Sequence, residues 1–315
     1  MTPPNLNPSY PMFCDQLNTR SLLLEHIQNA RERHNLTKLN KKQIAELEPL
    51  WLLSDYLHQQ FVRFPHWLDD FLVLDQLPKA PSTRALVAGE GFFACEADQC
   101  PQSTLTSFDE PSFVKRLRLY RQWWMVRLIA LDIQQRLSLT ELTYRLSGLA
   151  DACVNASLQW SEQHYLGLYG RALDSNGLSQ SMIVIGMGKL GGHELNLSSD
   201  IDLIFAYREH GDTQGGKKSL SHQEYFTKLG QKLIQHLDQV TADGFVFRVD
   251  MRLRPFGQSG ALVLNMDSLE NYYHDQGRDW ERYAMIKARV MSGSELDIQE
   301  FEALRRPFVY RKYLD

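Results

Sequence analysis

The sequence contains 315 residues, of which 43% are hydrophobic and 23% are charged. This composition is typical of a folded protein of about two domains, and it excludes a disordered or fibrous chain. With 34 Lys and Arg residues against 38 Asp and Glu residues, the formal net charge is −4, which argues against binding nucleic acid through overall charge.

The cysteines and the apolar segments indicate a soluble, cytoplasmic protein without a membrane partner. No CxxC pair and no zinc-ligand pattern is formed by the four cysteines, Cys14, Cys95, Cys100 and Cys153. The N-terminus lacks the cationic and apolar segments of a secretion signal. The most apolar stretch, residues 123–133, contains Arg127 and Asp132 and is shorter than the roughly 20 residues that a membrane span needs.

The first part of the chain predicts helices. Prolines near the N-terminus indicate a loose start, and residues 41–77 carry Leu, Trp and Phe at helical spacing. Residues 79–110 are rich in Pro, Gly, Ser and Asp and predict a long loop. In residues 113–137 apolar side chains recur every three or four positions, and Ser138 with Glu141 forms a capping box that begins a second long helix. We interpret these apolar stripes as core packing.

The pattern changes near residue 180, where apolar runs of strand type begin. The predicted strands cover residues 182–186, 201–207, 245–254 and 261–265. Between the second and third of them, Ser221 and Glu224 form a capping box that begins a helix, and further helices are expected up to about Met291. We therefore expect an α+β domain whose sheet faces water on one side.

Two acids on the second predicted strand are candidates for catalysis. Asp200 and Asp202 lie two positions apart, so their side chains project from the same face of the strand. Two such carboxylates repel each other unless a cation lies between them, and their oxygen atoms suit Mg²⁺. An isolated Asp-x-Asp is usually a solvated strand edge, so these two acids indicate a catalytic site only if further charged residues lie beside them.

The third predicted strand supplies a further acid. Arg248, Asp250, Arg252 and Arg254 share one of its faces, with Val246 as the only apolar exception. An acid among arginines suits a metal ligand beside binding sites for phosphate. If the two strands are neighbours, their three acids form a site for two metal ions about 3.5–4 Å apart.

The glycine segment between the first two strands, residues 186–192, contains GxGxxG. A dinucleotide-binding fold needs a longer helix after the glycines and an acid about 20 residues further on, whereas here a strand with two acids follows almost at once. The spacing of a Walker motif is also absent. We expect a tight turn in which the backbone amides of Gly191 and Gly192 contact phosphate oxygens. Lys189 either adds positive charge there or is an ordinary surface residue.

Two other segments carry charged residues. His193 and Glu194 are not followed by the second histidine of a zinc protease. Arg278, Glu281 and Arg282 begin a predicted helix, where they either line the site or pair with one another at helical spacing.

These segments have the motifs of a known family. The run GMGKLGGHELNLSSDIDLIF, residues 186–205, resembles the signature of the glutamine synthetase adenylyltransferases, the bifunctional adenylylating and adenylyl-removing enzymes. Residues 248–257 and 277–284 resemble the downstream motifs of that family. The resemblance covers about residues 182–292 and implies a DNA polymerase β-type nucleotidyltransferase fold. The expected parts are a mostly helical region packed with a catalytic domain and the start of a further helical segment, at residues 1–178, 179–292 and 293–315.

The resemblance implies a site and its ligands. Asp200, Asp202 and Asp250 match the acids that bind metal, with two Mg²⁺ ions expected and Mn²⁺ as the alternative. The residues expected to contact nucleotide or phosphate are Gly191, Gly192, Ser199, Lys189, Arg252 and Arg254. The last two arginines are assigned to the attacking phosphate as a hypothesis. The implied partners are adenylylated glutamine synthetase, the PII signalling protein, phosphate and ADP or ATP, with no nucleic acid.

Family members carry two catalytic domains, and this chain resembles a fragment with the N-terminal, adenylyl-removing one. The expected reaction is the phosphorolytic removal of AMP from a tyrosine of glutamine synthetase, with release of ADP. Two alternatives stay open: transfer of AMP from ATP to that tyrosine on the same acids, and a non-catalytic module that docks PII or glutamine synthetase. A polymerase is disfavoured because the net charge of −4 predicts no basic track for nucleic acid.

Overall fold

The computed structural model describes residues 13–72, 80, 81, 83, 86 and 108–310. These form two compact units, of which the first contains the described residues up to 72 together with Val126–Arg136. The second contains the other described residues, including both sheets. Most of the predicted loop at residues 79–110 lies outside the described residues, as does the start of the chain. No described helix is both long and apolar enough to cross a membrane.

The first unit is built from four consecutive helices, α1 to α4, at Phe13–Arg33, Lys41–Leu53, Asp55–Arg63 and Trp67–Leu72. Asn40 and Gln43 form a capping box at the start of α2, and the Ser54 hydroxyl caps α3. The buried Arg31 side chain donates hydrogen bonds to the carbonyl oxygens of Thr37 and Pro65, so it fixes the turns that connect these helices.

The second unit begins with two long helices. They are α5 (Glu110–Ile133), which also contributes its last turns to the first unit, and α6 (Leu139–Tyr169). Ser138 caps α6 by accepting a hydrogen bond from the Glu141 amide. The second bond of the predicted capping box, from the Ser138 amide to the Glu141 carboxylate, does not form. The carboxylate instead accepts a hydrogen bond from Arg145 on the next turn.

The larger sheet contains five strands. They are β2 (Ile183–Gly186), β3 (Ile201–Tyr207), β5 (Val249–Asp250), β6 (Val263–Asn265) and β7 (Arg289–Ser292). Strand β2 lies antiparallel between β3 and β7, while the other edge of β3 pairs in parallel with β5 at its start and with β6 at its end. A separate pair consists of β1 (Gly170–Ala172) and β4 (Thr213–Gly215). The combination of helices and small sheets agrees with the α+β prediction.

The remaining helices of the second unit are α7 to α11, at Gly188–Gly191, His222–Asp238, Met266–Asp275, Asp279–Met285 and Glu295–Val309, with a 3₁₀ turn at Gly257–Ser259. The capping box predicted at Ser221 and Glu224 begins α8. Helix α11 packs onto the sheet through Phe301, so the segment after residue 292 belongs to the same core. The predicted domain boundaries stay predictions.

The expectation that the sheet faces water on one side is wrong. Every residue of β2 is buried, and so is every residue of β3 except Asp202. One face packs on helices α9 to α11 through a cluster that includes Ile185 and Ile204, and α8 covers the other face, where Gly230 lies against the Phe205 ring. Because helices cover both faces, the two strands read as continuous apolar runs.

The long strand predicted at residues 245–254 is also wrong, because only Val249 and Asp250 form a strand. The amides of Val246 and Phe247 donate hydrogen bonds to the Leu237 carbonyl at the end of α8, which leaves them no strand partner. Val246, the residue that breaks the alternation, is fully buried. Phe245 is exposed while Val246 and Phe247 are both buried, so burial in this segment does not follow the alternation.

Candidate active site

The structure brings the three predicted acids to one edge of the sheet. Because β3 and β5 run in parallel, Asp202 lies directly opposite Asp250 in the register of the two strands. Asp200 precedes β3 and is exposed, whereas Asp202 is the one half-buried residue of that strand. The neighbouring strands thus place two carboxylates side by side and a third two positions away.

The two outer acids are paired with arginines. Arg248 donates from Nε to Asp200 Oδ1 over 2.5 Å, and Arg252 donates from Nε to Asp250 Oδ2 over 2.8 Å. The backbone amide of Arg252 also donates to Asp250 Oδ1, and the side-chain bond from Arg252 holds the pKa of Asp250 below its ordinary value. Arg248 was recognised on the arginine-rich face of the sequence but was not assigned to the site.

The central acid, Asp202, is in a different environment. Burial raises the pKa of its carboxyl group, and the charges of Asp250 and then Asp200 raise it further. Lys189 and Arg252 lower this pKa, but not enough to reverse its direction. A cation bound between the carboxylates would relieve this repulsion.

The donor set is chemically suited to Mg²⁺, because it consists of carboxylate oxygens. Among the described residues, no group of three or more His, Cys, Asp or Glu side chains is close enough to hold a metal ion in the arrangement seen. Arg248 and Arg252 occupy carboxylate oxygens that a metal would need. Metal binding by Asp250 therefore requires Arg252 to give up at least one of its bonds, whereas Arg248 bonds only one oxygen of Asp200.

We call residues 186–192 the glycine turn, and it lies against Asp202. The Met187 amide donates to the Asp202 carbonyl oxygen over 2.9 Å. Gly188 has φ +54°, and a Cβ atom at this position would lie 3.1 Å from Asp202 Oδ2. Glycine is favoured here both by the positive φ and by the close approach to the carboxylate.

The residues of this turn and its surroundings that were predicted to contact phosphate make other contacts in the structure. The amides of Gly191 and Gly192 donate to the carbonyl oxygens of Met187 and Gly188, so both are already used inside the turn. A Cβ atom on Gly191 would lie 2.0 Å from the Lys287 carbonyl oxygen, which gives this glycine a packing role. Lys189 is exposed, and the Ser199 hydroxyl donates to the Asn196 side chain. The roles of these four residues in nucleotide binding stay predictions.

Arg254 does not lie on the acids. Its guanidinium group donates to the carbonyl oxygens of Met251 and Gln258, which belong to its own loop. We call residues 251–260 the arginine loop. Of its two predicted phosphate ligands, Arg252 thus contacts an acid of the site and Arg254 braces the loop itself.

The charged residues at the start of α10 pair locally. Glu281 is buried, and its carboxylate accepts hydrogen bonds from the Arg278 amide and the Tyr272 hydroxyl. Arg282 lies 3.7 Å from Asp279 on the same helix. Of the two interpretations of this segment, the structure favours pairing within the helix.

A polar cavity of about 390 Å³ lies along α6, where none of the predicted site residues lines it. Glu162 lies in its wall, and burial raises the pKa of this carboxyl to about 7. The sequence offered no signal for this cavity, because its walls come from α6, α8 and the segment between them.

Comparison with known proteins gives consistent matches. Residues 44–304 match the sequence model of the family described as glutamate-ammonia ligase adenylyltransferase. Proteins named bifunctional glutamine synthetase adenylyltransferase/adenylyl-removing enzyme are similar to most of the chain. The one from Idiomarina loihiensis is 45% identical over 277 residues, which is 88% of this chain and 28% of the relative. The one from Shewanella oneidensis is 43% identical over 299 residues, 92% of this chain and 30% of the relative.

A third relative with the same name, from Pseudomonas aeruginosa, is 54% identical over 208 residues, which is 66% of this chain and 21% of the relative. The chain therefore spans less than a third of the length of the curated relatives it matches.

Proposed function

The chain belongs to the glutamate-ammonia ligase adenylyltransferase family, and on this premise we propose that it removes AMP from an adenylylated tyrosine of glutamine synthetase by phosphorolysis. The observation that carries the proposal is the parallel register of β3 and β5, which sets Asp202 directly beside Asp250, with Asp200 two residues earlier. The central acid is half-buried, and burial and the charges of the two outer acids raise its pKa, so its ionised form is costly unless a cation binds beside it. We further propose that the sheet belongs to a polymerase β-type nucleotidyltransferase fold.

The proposed reaction is a single displacement at phosphorus. An oxygen of inorganic phosphate attacks the α-phosphorus of the tyrosyl-AMP ester, the bond from phosphorus to the tyrosine oxygen breaks, and the products are ADP and unmodified tyrosine. The leaving phenolate has a reference pKa near 10 and takes a proton as it departs. No protein nucleophile is needed.

The residues of the chain would act by binding and orientation. Asp200, Asp202 and Asp250 would hold two Mg²⁺ ions, which when bound stabilise negative charge on the attacking and leaving oxygens. Arg252 and Arg254 would bind the attacking phosphate once they exchange their present bonds to Asp250 and to the arginine loop. Arg248, released from Asp200, would add a further positive charge near the phosphates.

The proposed partners follow from the family. The relatives' names supply glutamine synthetase as the protein substrate. Phosphate is the small substrate and ADP the small product of the proposed direction, and PII is proposed as the regulator, in the cytoplasm. The names cover both directions, so transfer of AMP from ATP to glutamine synthetase on the same acids is the second candidate.

The test is incubation of the chain with adenylylated glutamine synthetase, Mg²⁺ and phosphate, with ADP as the measured product. Asp202→Asn should abolish ADP formation. The matched control is Asp275→Asn, which neutralises an exposed carboxylate that pairs with His274 outside the site.

Each outcome has a separate meaning. ADP that requires phosphate and is lost only in Asp202→Asn supports phosphorolysis at these acids. AMP transfer from ATP to unmodified glutamine synthetase, without phosphorolysis, would replace the proposal by the forward reaction. A folded chain that does neither, but binds glutamine synthetase, would be the docking module.

A further inference from the structure

Arg289, at the start of β7, makes an unusual set of contacts. Its two terminal nitrogens each lie 3.0 Å from a different carboxylate oxygen of Asp151, in the middle of α6. Both side chains are 25% exposed. Two parallel hydrogen bonds of this kind fix the plane of a guanidinium group as well as its position.

The same guanidinium also reaches the glycine turn. Arg289 Nη2 lies 3.3 Å from the Leu190 carbonyl oxygen, and Nε lies 3.4 Å from the Gly191 carbonyl oxygen. These carbonyls end the single turn of α7, and the Leu190 oxygen also accepts a hydrogen bond from the His193 amide, so Arg289 adds a side-chain donor to the end of the turn. An arginine is well suited to this place, because it is a fork of donors and carries the charge that a helix C-terminus favours.

The glycine turn is therefore held at both ends. Its first residues bond to Asp202 through the Met187 amide, and Gly188 lies against the Asp202 carboxylate. Its last residues are held by Arg289 and pressed against the backbone of Lys287. A displacement at the Arg289 end would consequently move the turn away from Asp202.

Helix α6 supplies the fixed side of this arrangement through three polar residues spaced by four. The Ser147 hydroxyl accepts a hydrogen bond from the Leu195 amide, just after the glycine turn. Asp151 binds Arg289, and the Asn155 side chain donates to the Met291 carbonyl over 3.1 Å. Since residues four apart lie on one helix face, Ser147, Asp151 and Asn155 form a polar stripe on one face of the helix, separate from the buried Ser157 and Ser161.

We propose that Arg289 and Asp151 are positioning residues, which fix the glycine turn against Asp202 and thereby orient the central acid for the reaction. This proposal rests on the proposed function, since it assigns the effect to the catalytic step. Neither residue touches the reacting atoms. Their loss should lower kcat while leaving the binding of the protein substrate and phosphate nearly unchanged.

The test compares Arg289→Lys, Arg289→Ala and Asp151→Asn with the wild type in the ADP assay. Lysine keeps the charge but cannot bridge a carboxylate and two carbonyls, so we expect kcat about 10-fold lower in Arg289→Lys and about 100-fold lower in Arg289→Ala. The KM values for phosphate and adenylylated glutamine synthetase should change by less than about twofold. Amide hydrogen exchange of residues 188–192 should become faster in all three variants.

Arg305 offers a matched control. It binds Glu302 with two hydrogen bonds and donates to the carbonyl oxygens of Met285 and Ile286, so its contacts have the same form without reaching the glycine turn. Arg305→Lys and Arg305→Ala should therefore leave kcat and the exchange of residues 188–192 at wild-type values.

The proposal is overturned if Arg289→Lys keeps both the wild-type kcat and the wild-type exchange of the glycine turn. It is also overturned if Arg305→Lys lowers kcat as much as Arg289→Lys, because the effect would then be a general loss of stability. If the wild type forms no ADP, the proposed function fails. The hydrogen exchange of residues 188–192 still decides whether Arg289 holds the turn.

Discussion

The glycine turn and the arginine loop adjoin the same acids, but different parts of the protein hold them in place. The glycine turn is fixed by other elements: the Lys287 backbone, the Arg289 side chain and, through it, helix α6. The arginine loop keeps its two arginine side chains on nearby groups, since Arg252 binds Asp250, the residue just before the loop, and Arg254 binds carbonyl oxygens within the loop.

This difference suggests separate roles for the two segments in the proposed site: the glycine turn positions Asp202, and the arginine loop binds phosphate. A turn that is fixed from outside can set the position of Asp202 before any ligand arrives. A loop whose arginines bind their own neighbours can exchange those bonds for bonds to phosphate at little cost, because Arg252 is 73% exposed and its present ion pair is weak. The glycine turn thus supplies fixed positioning, and the arginine loop supplies charge that can be exchanged, at the same group of carboxylates.

Adding a methyl group to each segment gives the largest expected contrast. In Gly191→Ala the new Cβ would lie 2.0 Å from the Lys287 carbonyl oxygen and 2.5 Å from that of Gly186, so we expect a loss of about 3 kcal/mol of unfolding free energy. In Gly257→Ala the nearest atom is 3.7 Å away and only the positive φ of +56° opposes the change, which should cost about 1 kcal/mol. Urea denaturation measures both values.

Gly167→Ala is the control for these glycine variants. Gly167 lies inside α6 with nothing within 4 Å of its added Cβ, so alanine should stabilise the protein by about 0.5–1 kcal/mol. Equal losses in Gly191→Ala and Gly257→Ala would contradict the distinction between the two segments.

Double-mutant cycles on the two arginine–aspartate pairs sharpen the same comparison. The cycle of Arg289→Ala and Asp151→Ala should give a coupling free energy of about 2 kcal/mol, because both side chains are largely buried and bonded twice. The cycle of Arg252→Ala and Asp250→Ala should give a much smaller coupling, because water screens the exposed arginine. A stronger coupling in the arginine loop would mean that its charges are not free to exchange.

The sequence predicted the acid edge better than it predicted the segments that support it. Apolar runs located β2 and β3, and the spacing of Asp200 and Asp202 placed one acid of the pair beside Asp250 once the strands were paired. The strand expected at residues 245–254 was wrong because alternation does not show that a neighbouring strand is present, and the amides of Val246 and Phe247 bond to the end of α8 instead. Predicting a strand from alternation assumes a neighbouring strand to bond with, and the alternation does not show which strand that is.

The Arg289–Asp151 contact had no local signal, since 138 residues separate the two positions. The polar stripe of Ser147, Asp151 and Asn155 was visible in the sequence, but α6 was interpreted from its apolar residues as core packing. A regular polar spacing inside an otherwise buried helix indicates buried hydrogen bonds to other segments. It does not indicate which segments they are.

Truncating Arg254 tests whether the arginine loop binds phosphate. If Arg254 exchanges its bonds with Met251 and Gln258 for bonds to the attacking phosphate, Arg254→Ala should raise the KM for phosphate about 10-fold, which corresponds to about 1.4 kcal/mol. The KM for adenylylated glutamine synthetase should be unchanged. An unaltered phosphate dependence in the ADP assay would make Arg254 a structural residue of the loop.

The smallest expected change in unfolding free energy has opposite signs for Asp202→Asn and Asp250→Asn. Asp202→Asn should raise the unfolding free energy by less than about 1 kcal/mol, because it removes a half-buried charge that Asp250 and Asp200 repel, and water screens part of that repulsion. Asp250→Asn should lower it by a similar amount, because Arg252 then loses its charged partner.

The two acids should also differ with pH, in metal-free buffer containing a chelator. The raised pKa of Asp202 means that the gain in Asp202→Asn is complete above that pKa and disappears below the ordinary aspartate value, where the wild-type carboxyl is protonated in both states. The lowered pKa of Asp250 means that its contribution is present above the ordinary value and is lost as the pH falls through its folded pKa. Urea denaturation of both variants across acidic and neutral pH measures the two trends. If Asp202→Asn destabilised the protein at neutral pH, the carboxylate would already have a partner that offsets its charge, and the main reason for placing a cation beside it would be removed.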